Sequence, residues 1–322
     1  MTPESEEAWR EGEEEGPESL LRPVPAGYRS GYVAIAGRPN VGKSTLMNAL
    51  VGEKIAIVSP KPQTTRTRLL GILTRPEAQI VFVDTPGIHQ PQLRLGEEMV
   101  ATAERAVAEA DVVLCVVDVS QPPNAEDEQV VRSALKAAIP RFLVANKVDL
   151  LPRPSDREAA VARYLALGPF DRVQVVSAVT GEGLAELVEA LVQTLPEGPQ
   201  FYPEDQISDQ LERDIGAELI REAVLRNLHQ EVPHSVAVQV EEWQTRPNGV
   251  TYIRATIFVE KESQKGILLG AGGRMMKRIG RQAREELEFF VGGKVYLDLW
   301  VKVLKNWRKD ENALRRLGLA GR

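Results

Sequence analysis

Residues 37–44, with the sequence GRPNVGKS, place the strongest constraint on how this chain folds. They fit the pattern G-x-x-x-x-G-K-[ST], in which backbone N–H groups of a glycine-rich loop and a helix N-terminus surround nucleotide phosphates. An apolar run at 32–36 precedes them, and a helical pattern at 44–51 follows. The motif requires this strand–loop–helix context. The sequence therefore predicts a phosphate-binding loop (the phosphate loop, residues 37–44) in an α/β domain.

Three further motifs follow in order and predict specificity for guanine. They are DTPG at 84–87, NKVD at 146–149 and Ser-Ala at 177–178. NKVD ends the apolar run 142–145, and nucleotide sites of open α/β sheets lie at the carboxyl ends of such strands. The Asp149 carboxylate would accept hydrogen bonds from guanine N1–H and the 2-amino group, a pair of donors that adenine lacks. We therefore expect GTP to bind far more tightly than ATP.

The predicted nucleotide contacts surround the phosphates and the base. Lys43 would reach the β- and γ-phosphates, and the Ser44 hydroxyl would ligate Mg2+. Asn146 and Lys147 would support the base, and the backbone at 177–178 would meet the guanine oxygen. The predicted nucleotide-binding residues are Gly37, Arg38, Pro39, Asn40, Val41, Gly42, Lys43, Ser44, Thr45, Asp84, Gly87, Asn146, Lys147, Asp149, Ser177 and Ala178.

Two loops should respond to the nucleotide state. Asp84 would hold Mg2+ through water, and the Gly87 N–H would touch the γ-phosphate. The switch segment (residues 57–68) should supply a threonine ligand to Mg2+ in the GTP state, and of Thr64 and Thr65 we favour Thr65. The predicted metal ligands are therefore Ser44, Thr65 and Asp84. Without a γ-phosphate both loops should lose their anchor, which would couple phosphate chemistry to surface shape.

The chain resembles the Era family of bacterial GTPases in GRPNVGKSTLMNAL, in QTTRTR at 63–68, in DTPGIH and in NKVD. The resemblance spans nearly the whole chain after residue 30. It implies a GTPase domain joined to a KH-type RNA-binding domain, which acts in maturation of the small ribosomal subunit on the 3′ end of its ribosomal RNA. Family members also associate peripherally with the inner membrane, although no amphipathic basic helix in this sequence requires it. We expect a cytoplasmic monomer without a DNA partner, peripheral at most on the inner face of the cell membrane.

Two positions near the phosphates bear on the rate of hydrolysis. Ile88 stands where Ras-like enzymes have a glutamine that orients the attacking water, so intrinsic hydrolysis should be slow. Members of this GTPase group with asparagine at the position of Asn40 can bind K+, whose charge could substitute for an arginine finger; the alternative is that Asn40 only caps the loop. His89 is better explained as a solvent-facing residue than as a catalytic base. The residues predicted to act on the reacting phosphate are Lys43, Asn40, Thr65 and Gly87.

Length and composition favour two domains without a membrane span. The chain has 322 residues, 43% of them hydrophobic, and no run is long and apolar enough to cross a bilayer. Residues 1–30 carry eight Glu and three Arg, which favours an acidic, disordered tail. Cys115, the only cysteine, lies in an apolar run, so we expect a buried residue without disulfide or metal. The predicted divisions are an acidic tail at 1–30, a GTPase domain at 31–195, a linker at 196–208, a KH domain at 209–310 and a C-terminal tail at 311–322.

Strand-like runs alternate with helical patterns in the first predicted domain. The runs lie at 32–36, 69–73, 79–83, 112–117, 141–145 and 173–177, and the helical patterns at 44–51, 97–110, 126–138, 155–167 and 183–195. This alternation predicts an α/β P-loop domain with a mostly parallel sheet and helices on both faces. A Pro- and acid-containing stretch at 196–208 then interrupts the pattern.

The second predicted domain has the element order of a type II KH fold, which belongs to the α+β class. A helical pattern at 209–230 is followed by a strand at 235–244, a strand at 250–260, two helices and a strand at 294–304. The Asn248-Gly249 pair between two alternating runs predicts a hairpin. The KH loop (residues 270–273, GAGG) matches the GXXG loop that clamps a nucleic-acid backbone.

Basic residues strengthen the RNA prediction, since 265–284 contains no acidic residue. Ile267 and Leu268 would line an apolar groove or, equally, belong to the core. A second basic cluster around Trp300 and Trp307 offers cations and stacking groups together, or forms only a solvated face; it comprises Lys302, Lys305, Arg308 and Lys309. The predicted RNA-binding residues are Lys265, Ile267, Leu268, Gly270, Ala271, Gly272, Gly273, Arg274 and Lys277.

Three functions fit these motifs. We favour a GTP-switched protein that binds ribosomal RNA. The alternatives are a GTPase whose main partner is a protein or a membrane surface, and a constitutive RNA-binding module in which GTP is structural. The expected cofactors are Mg2+ and K+, with GTP as substrate and GDP as product.

Overall fold

A computed structural model of the chain describes residues 24–59, 61, 64–87, 93–228 and 232–320. Most of the predicted acidic tail at 1–30 lies outside these residues. Its last part does not, because the first strand begins at Arg29 and Tyr28 is already buried. The first domain therefore starts slightly before residue 31.

A six-stranded sheet in the order β2-β3-β1-β4-β5-β6 forms the first domain. Only β2 is antiparallel to its neighbour, which confirms the predicted α/β fold with a mostly parallel sheet. The strands are Arg29–Ala36 (β1), Leu69–Thr74 (β2), Ala78–Asp84 (β3), Val112–Asp118 (β4), Arg141–Asn146 (β5) and Arg172–Val175 (β6). Strands β3 and β4 are buried along their whole length, including Cys115, because helices cover both faces.

In the described part of the first domain, five α-helices surround this sheet. They are Lys43–Val51 (α1), Arg94–Ala108 (α2), Ala125–Ala134 (α3), Pro154–Leu165 (α4) and Leu184–Thr194 (α5). Helix α3 begins with a capping box between Asn124 and Asp127, and α4 has a proline in its first turn. The parallel strands bring the phosphate loop, Asp84, Asp118 and Asn146 to one edge of the sheet.

The predicted linker packs along the side of this sheet. The Gln79 side-chain oxygen accepts hydrogen bonds from the N–H groups of Phe201 (2.7 Å) and Tyr202 (2.9 Å). The Phe201 ring also stacks on Tyr32, with 5.5 Å between ring centroids. These contacts fix the path of the chain into the second domain.

The second domain has the predicted α-β-β-α-α-β order and a three-stranded sheet, β7-β8-β9. Strand β8 pairs antiparallel with β7 and parallel with β9, so this sheet is mixed. The elements are Glu212–Asn227 (α6), Ala237–Thr245 (β7), Thr251–Val259 (β8), Glu262–Leu269 (α7), Arg274–Val291 (α8) and Val295–Val303 (β9). Ile253, Ala255, Ile257 and Val259 of β8 point to the helices and form the core.

The predicted C-terminal tail at 311–322 contains a short packed helix. Glu311–Arg316 forms a helix (α9), which the Asp310 side chain caps through the N–H groups of Asn312 and Ala313. Leu314 is fully buried in a cluster with Leu95 of α2 and Trp307.

Among the described residues, no helix combines the length and apolar character that crossing a bilayer needs.

Candidate nucleotide pocket and RNA-binding loop

The phosphate loop connects β1 to α1 in a conformation that needs glycine. Gly42 has φ +99°, and a Cβ atom there would lie 2.5 Å from the Asn146 amide nitrogen. At Gly37 a Cβ would lie 2.6 Å from the Val116 carbonyl oxygen. The loop thus folds closely against the ends of β4 and β5, and a side chain at either position would push it away.

Lys43, the first residue of α1, is buried beneath the loop. Its ammonium group donates hydrogen bonds of 3.0 Å to the carbonyl oxygens of Gly37 and Arg38. Burial lowers the pKa of Lys43 to about 8, although Asp84 acts in the opposite direction. A cation held in this way beside backbone donors can balance the charge of bound phosphates.

Ser44, Thr65 and Asp84 bring three oxygen-bearing side chains together. The Ser44 hydroxyl lies 2.7 Å from Asp84 Oδ2 and 2.9 Å from Thr65 Oγ1. Thr65 Oγ1 also donates to Asp84 Oδ2 over 3.3 Å. The Thr64 hydroxyl donates instead to the Lys61 carbonyl oxygen, so the structure brings Thr65, and not Thr64, into this group.

The chemistry of this group fits Mg2+. Asp84 is fully buried, burial raises its pKa, and its Oδ1 has no hydrogen-bond partner. A hard cation with oxygen ligands would compensate this carboxylate. The described residues contain no cluster of three or more His, Cys, Asp or Glu side chains suited to a metal. A cation here would therefore depend on hydroxyl groups and on the phosphates of the ligand.

Gly87 lies directly against the phosphate loop. A Cβ atom at Gly87 would lie 2.8 Å from the Pro39 nitrogen, so only glycine fits without displacing the loop. A cavity between this loop and the switch segment is lined by Asn40, Lys43, Thr65 and Gly87, among other residues. Ile88 and His89 lie outside the described residues, so the expectations for them remain predictions.

Asn146 connects the phosphate loop to residues 177–178. Its amide donates to the Val41 carbonyl oxygen (2.8 Å), and its side-chain oxygen accepts from the Ala178 N–H (3.0 Å). The Ser177 hydroxyl donates to Asp149 Oδ1 over 2.7 Å. This contact orients the exposed Asp149 carboxylate and leaves Oδ2 for a base.

Asp118, at the carboxyl end of β4, is a pocket residue that sequence reasoning missed. The Lys147 ammonium donates to Asp118 Oδ2 (2.6 Å) and to the Asn40 carbonyl oxygen (2.8 Å). Burial alone would raise the pKa of Asp118, but hydrogen bonds from Lys147 and Ser120 outweigh it and lower the pKa. Asp118 could have been predicted as a pocket residue because, like Asn146, it stands at the end of an apolar strand.

Arg38 lies beside the phosphate loop and pairs with Asp127. Its Nε lies 3.1 Å from Asp127 Oδ1. Burial raises the pKa of Asp127, although a hydrogen bond from the Asn124 N–H and the charge of Arg38 act against it. The Arg38 side chain therefore supports the loop from α3, and its contribution to phosphate binding would come from its backbone.

The KH loop joins α7 to α8 and is open to solvent. Gly270, Gly272 and Gly273 all have positive φ, and a Cβ atom at Gly272 or Gly273 would meet nothing within 4 Å. Arg274 and Lys277 are exposed at the start of α8. A nucleic-acid backbone could therefore approach the main chain of this loop closely.

The structure decides between the alternatives that the sequence left open for Leu268 and Trp307. Leu268 is fully buried in the core of the second domain, whereas Ile267 is 51% exposed. Only Ile267 is therefore available to line a groove. Trp307 in the second basic cluster is also fully buried, and its indole N–H donates to the Ser235 carbonyl oxygen (3.0 Å). It cannot stack on a base, although Trp300 is exposed.

Comparison with known proteins gives matches for both domains. Residues 32–147 match the family of 50S ribosome-binding GTPases, and residues 231–308 match the KH domain family. The GTPase Era of Thermotoga maritima is 49% identical over 295 residues, which are 90% of this chain and 97% of that protein. The GTPase Era of Heliobacterium modesticaldum is 46% identical over 290 residues, with the same two coverages.

Two solved structures are similar over both domains. One is Era in complex with MgGDPNP and nucleotides 1506–1542 of 16S ribosomal RNA, with a TM-score of 0.88. The other is a variant of Aquifex aeolicus Era bound to GDP·AlF4−, with a TM-score of 0.87. Each is 39% identical to this chain, and each match covers 91% of this chain and 100% of the solved one.

Proposed function

The chain belongs to the Era family of GTPases, and we propose that it is a nucleotide-dependent switch acting on ribosomal RNA. It hydrolyses GTP to GDP and phosphate in its first domain. Its KH domain binds the 3′ end of small-subunit ribosomal RNA and assists maturation of that subunit. One observation supports this most strongly: a guanine-nucleotide pocket and an open KH loop occur in one chain.

In the proposed pocket, one group of residues binds the phosphates and another binds the guanine base. Lys43 and the backbone N–H groups of the phosphate loop balance the phosphate charge. Asp149 accepts hydrogen bonds from guanine, and Asn146 holds the loop against the base-binding segment. Ser44, Thr65 and Asp84 would hold Mg2+, which neutralises charge on the phosphates when it is bound.

Hydrolysis in such a pocket depends on positioning more than on a protein nucleophile. We place Lys43, Asn40, Thr65 and Gly87 around the reacting phosphate. Asn40 has φ +66°, a conformation that asparagine tolerates better than most residues, and it follows the Pro39 that packs on Gly87. K+ beside Asn40 would add positive charge there, in keeping with the family resemblance.

The RNA part of the proposal rests on the open KH loop and on the related complex. That Era structure contains nucleotides 1506–1542 of 16S ribosomal RNA, so we propose RNA of this class for the present chain. The words "50S ribosome-binding GTPase" describe the wider family that matches the first domain, so we do not take the 50S subunit as the partner of this chain. The backbone clamp would be formed by Gly270, Ala271, Gly272 and Gly273, with Arg274, Lys277 and Lys265 contacting phosphates and Ile267 contacting a base.

The proposals for assembly state and location rest on the family resemblance alone. We propose a monomer in the cytoplasm, working on the small ribosomal subunit, with peripheral contact to the inner face of the cell membrane. We also propose that the GTPase domain ends at residue 195, that residues 196–208 connect the two domains and that the KH domain begins at residue 209.

Binding of a small-subunit 3′-end RNA oligomer by the GTP-analogue form tests the proposal. Gly272→Asp places a carboxylate where a phosphate would approach, and we expect at least a tenfold loss of RNA affinity. Gly249→Asp is a matched control, because Gly249 also has positive φ, has nothing within 4 Å and lies away from the KH loop in the β7–β8 turn.

The outcomes separate the three functions. Loss of binding in Gly272→Asp alone, with weak binding of a scrambled RNA, supports the proposed function. Equal binding by wild type and both variants would instead favour a GTPase whose main partner is a protein or a membrane. RNA binding that is the same with GDP and the GTP analogue would favour a constitutive RNA-binding module.

A further inference from the structure

The switch segment packs on the KH domain as well as on the nucleotide pocket. Ile57 is buried in the same apolar cluster as Leu219 of α6, which belongs to the KH core. The Val58 N–H donates to Glu222 Oε1 of α6 over 3.1 Å. Just before the segment, Lys54 pairs with Glu222 and with Glu286 of α8, each over 2.8 Å. The segment therefore contacts both domains.

Arg66 reaches from the switch segment into the KH domain. The Arg66 residue is 5% exposed. Its guanidinium group donates to the carbonyl oxygens of Val236 (2.6 Å), His234 (3.2 Å) and Pro233 (3.4 Å). It also lies over the Trp307 ring, 5.6 Å from the centroid. Burial, with the nearby charge of Arg221, lowers the pKa of Arg66 to about 9. A planar fork of donors fits these acceptors, and a lysine would satisfy fewer of them.

A second buried arginine holds the main chain next to it. Arg221 of α6 is 2% exposed, and its Nη2 donates to the Thr64 carbonyl oxygen and to Glu218. The KH domain thus holds Thr64 through its backbone and Arg66 through its side chain. Thr65, between them, points the other way, with its hydroxyl 2.9 Å from Ser44.

We propose that Arg66 is a positioning residue for the nucleotide pocket. The KH domain fixes Arg66, and Arg66 in turn fixes Thr65 beside Ser44 and Asp84. In that position Thr65 can ligate the Mg2+ of a bound triphosphate. GDP has no γ-phosphate to stabilise the switch segment, so its binding should not depend on this contact. The inference rests on the proposed function, because it assigns Thr65 to the GTP-bound state.

The contact also has a reciprocal consequence. If KH docking favours the arrangement that binds GTP, then bound GTP must favour KH docking by the same factor. Residues 64–66 would then be the physical connection through which the nucleotide affects the KH domain.

The test compares affinities for a fluorescent non-hydrolysable GTP analogue and for fluorescent GDP, over a series of Mg2+ concentrations. For full-length Arg66→Ala we expect about a tenfold loss of GTP-analogue affinity, the scale of a lost charged hydrogen bond. The Mg2+ concentration for half-maximal binding of the analogue should rise, and GDP affinity should stay within about twofold. Arg68→Ala is the matched control, since Arg68 is a half-exposed neighbour that pairs with exposed Glu109.

Arg66→Lys keeps the charge and carries the test if Arg66→Ala does not fold. A folded Arg66 variant with unchanged GTP-analogue affinity would overturn the inference. Equal losses for GTP analogue and GDP would also overturn it, because they would indicate a general structural role. Failure of the wild type to prefer guanine nucleotides over ATP would instead contradict the proposed function itself.

Discussion

The Lys43 side chain is buried, and its charge depends on whether phosphates are bound beside it. Burial lowers its pKa to about 8. Bound phosphates would stabilise the ammonium form and raise that pKa again. Below pH 8 the free and bound forms both carry the proton, so affinity should not change with pH there. Above pH 8 the free form loses the proton, and nucleotide binding must take one up.

We therefore predict that the GTP affinity falls as the pH rises through about 8, by up to about tenfold per pH unit. Isothermal titration of a GTP analogue in buffers of different ionisation enthalpy measures the proton uptake directly. Uptake should approach one proton at pH 9 and vanish at pH 7. Absence of uptake at pH 9 would show that Lys43 keeps its proton in the free protein.

The burial of Leu268 and Trp307 could not be predicted from the sequence. The sequence placed Leu268 next to an exposed loop and Trp307 within a basic cluster, and both positions are compatible with a surface. Their burial depends on partners distant in sequence, such as the Ser235 carbonyl oxygen that receives the Trp307 N–H. The pattern of neighbouring residues contains no information on such contacts.

Elements with local signals were predicted well. The strand before the phosphate loop, the helix after it and the Asn248-Gly249 hairpin are all encoded by residues close together in sequence. Helix α9 has six residues and no long periodic pattern. It is stabilised by burial of Leu314 in a cluster that includes Leu95 and Met99 of α2, which are far away in the chain. Its packed position therefore could not be found from local sequence.

Leu314→Ala should destabilise the protein by about 3 kcal/mol, because it leaves a cavity in the buried cluster that Leu314 shares with Leu95 and Trp307. Arg315→Ala is the control, since Arg315 is exposed and pairs with exposed Glu311 one turn away, so we expect a change of about 0.5 kcal/mol or less. Chemical denaturation of both variants measures the difference. Equal stability of Leu314→Ala and wild type would contradict the packing of α9.

At the scale of the whole molecule, polar contacts connect the nucleotide pocket to the helix that follows the KH loop. The Lys61 ammonium in the switch segment donates to the Leu228 carbonyl oxygen at the end of α6, over 2.5 Å. Next to it, Asn227 accepts a hydrogen bond of 2.6 Å from Arg278 of α8 and donates to Gln282. Arg278 lies one turn beyond the KH loop. Motifs predicted both sites, but only the fold shows that the switch segment contacts α6.

Control of RNA binding by the nucleotide state can be measured on the wild-type protein alone. The affinity for a small-subunit 3′-end RNA oligomer is measured at fixed salt with wild type saturated by GDP or by a non-hydrolysable GTP analogue. We predict tighter binding with the GTP analogue, by a factor of about five or more, which is the usual lower range for coupled sites. Equal affinities in the two nucleotide states would show that the bound nucleotide does not control RNA binding.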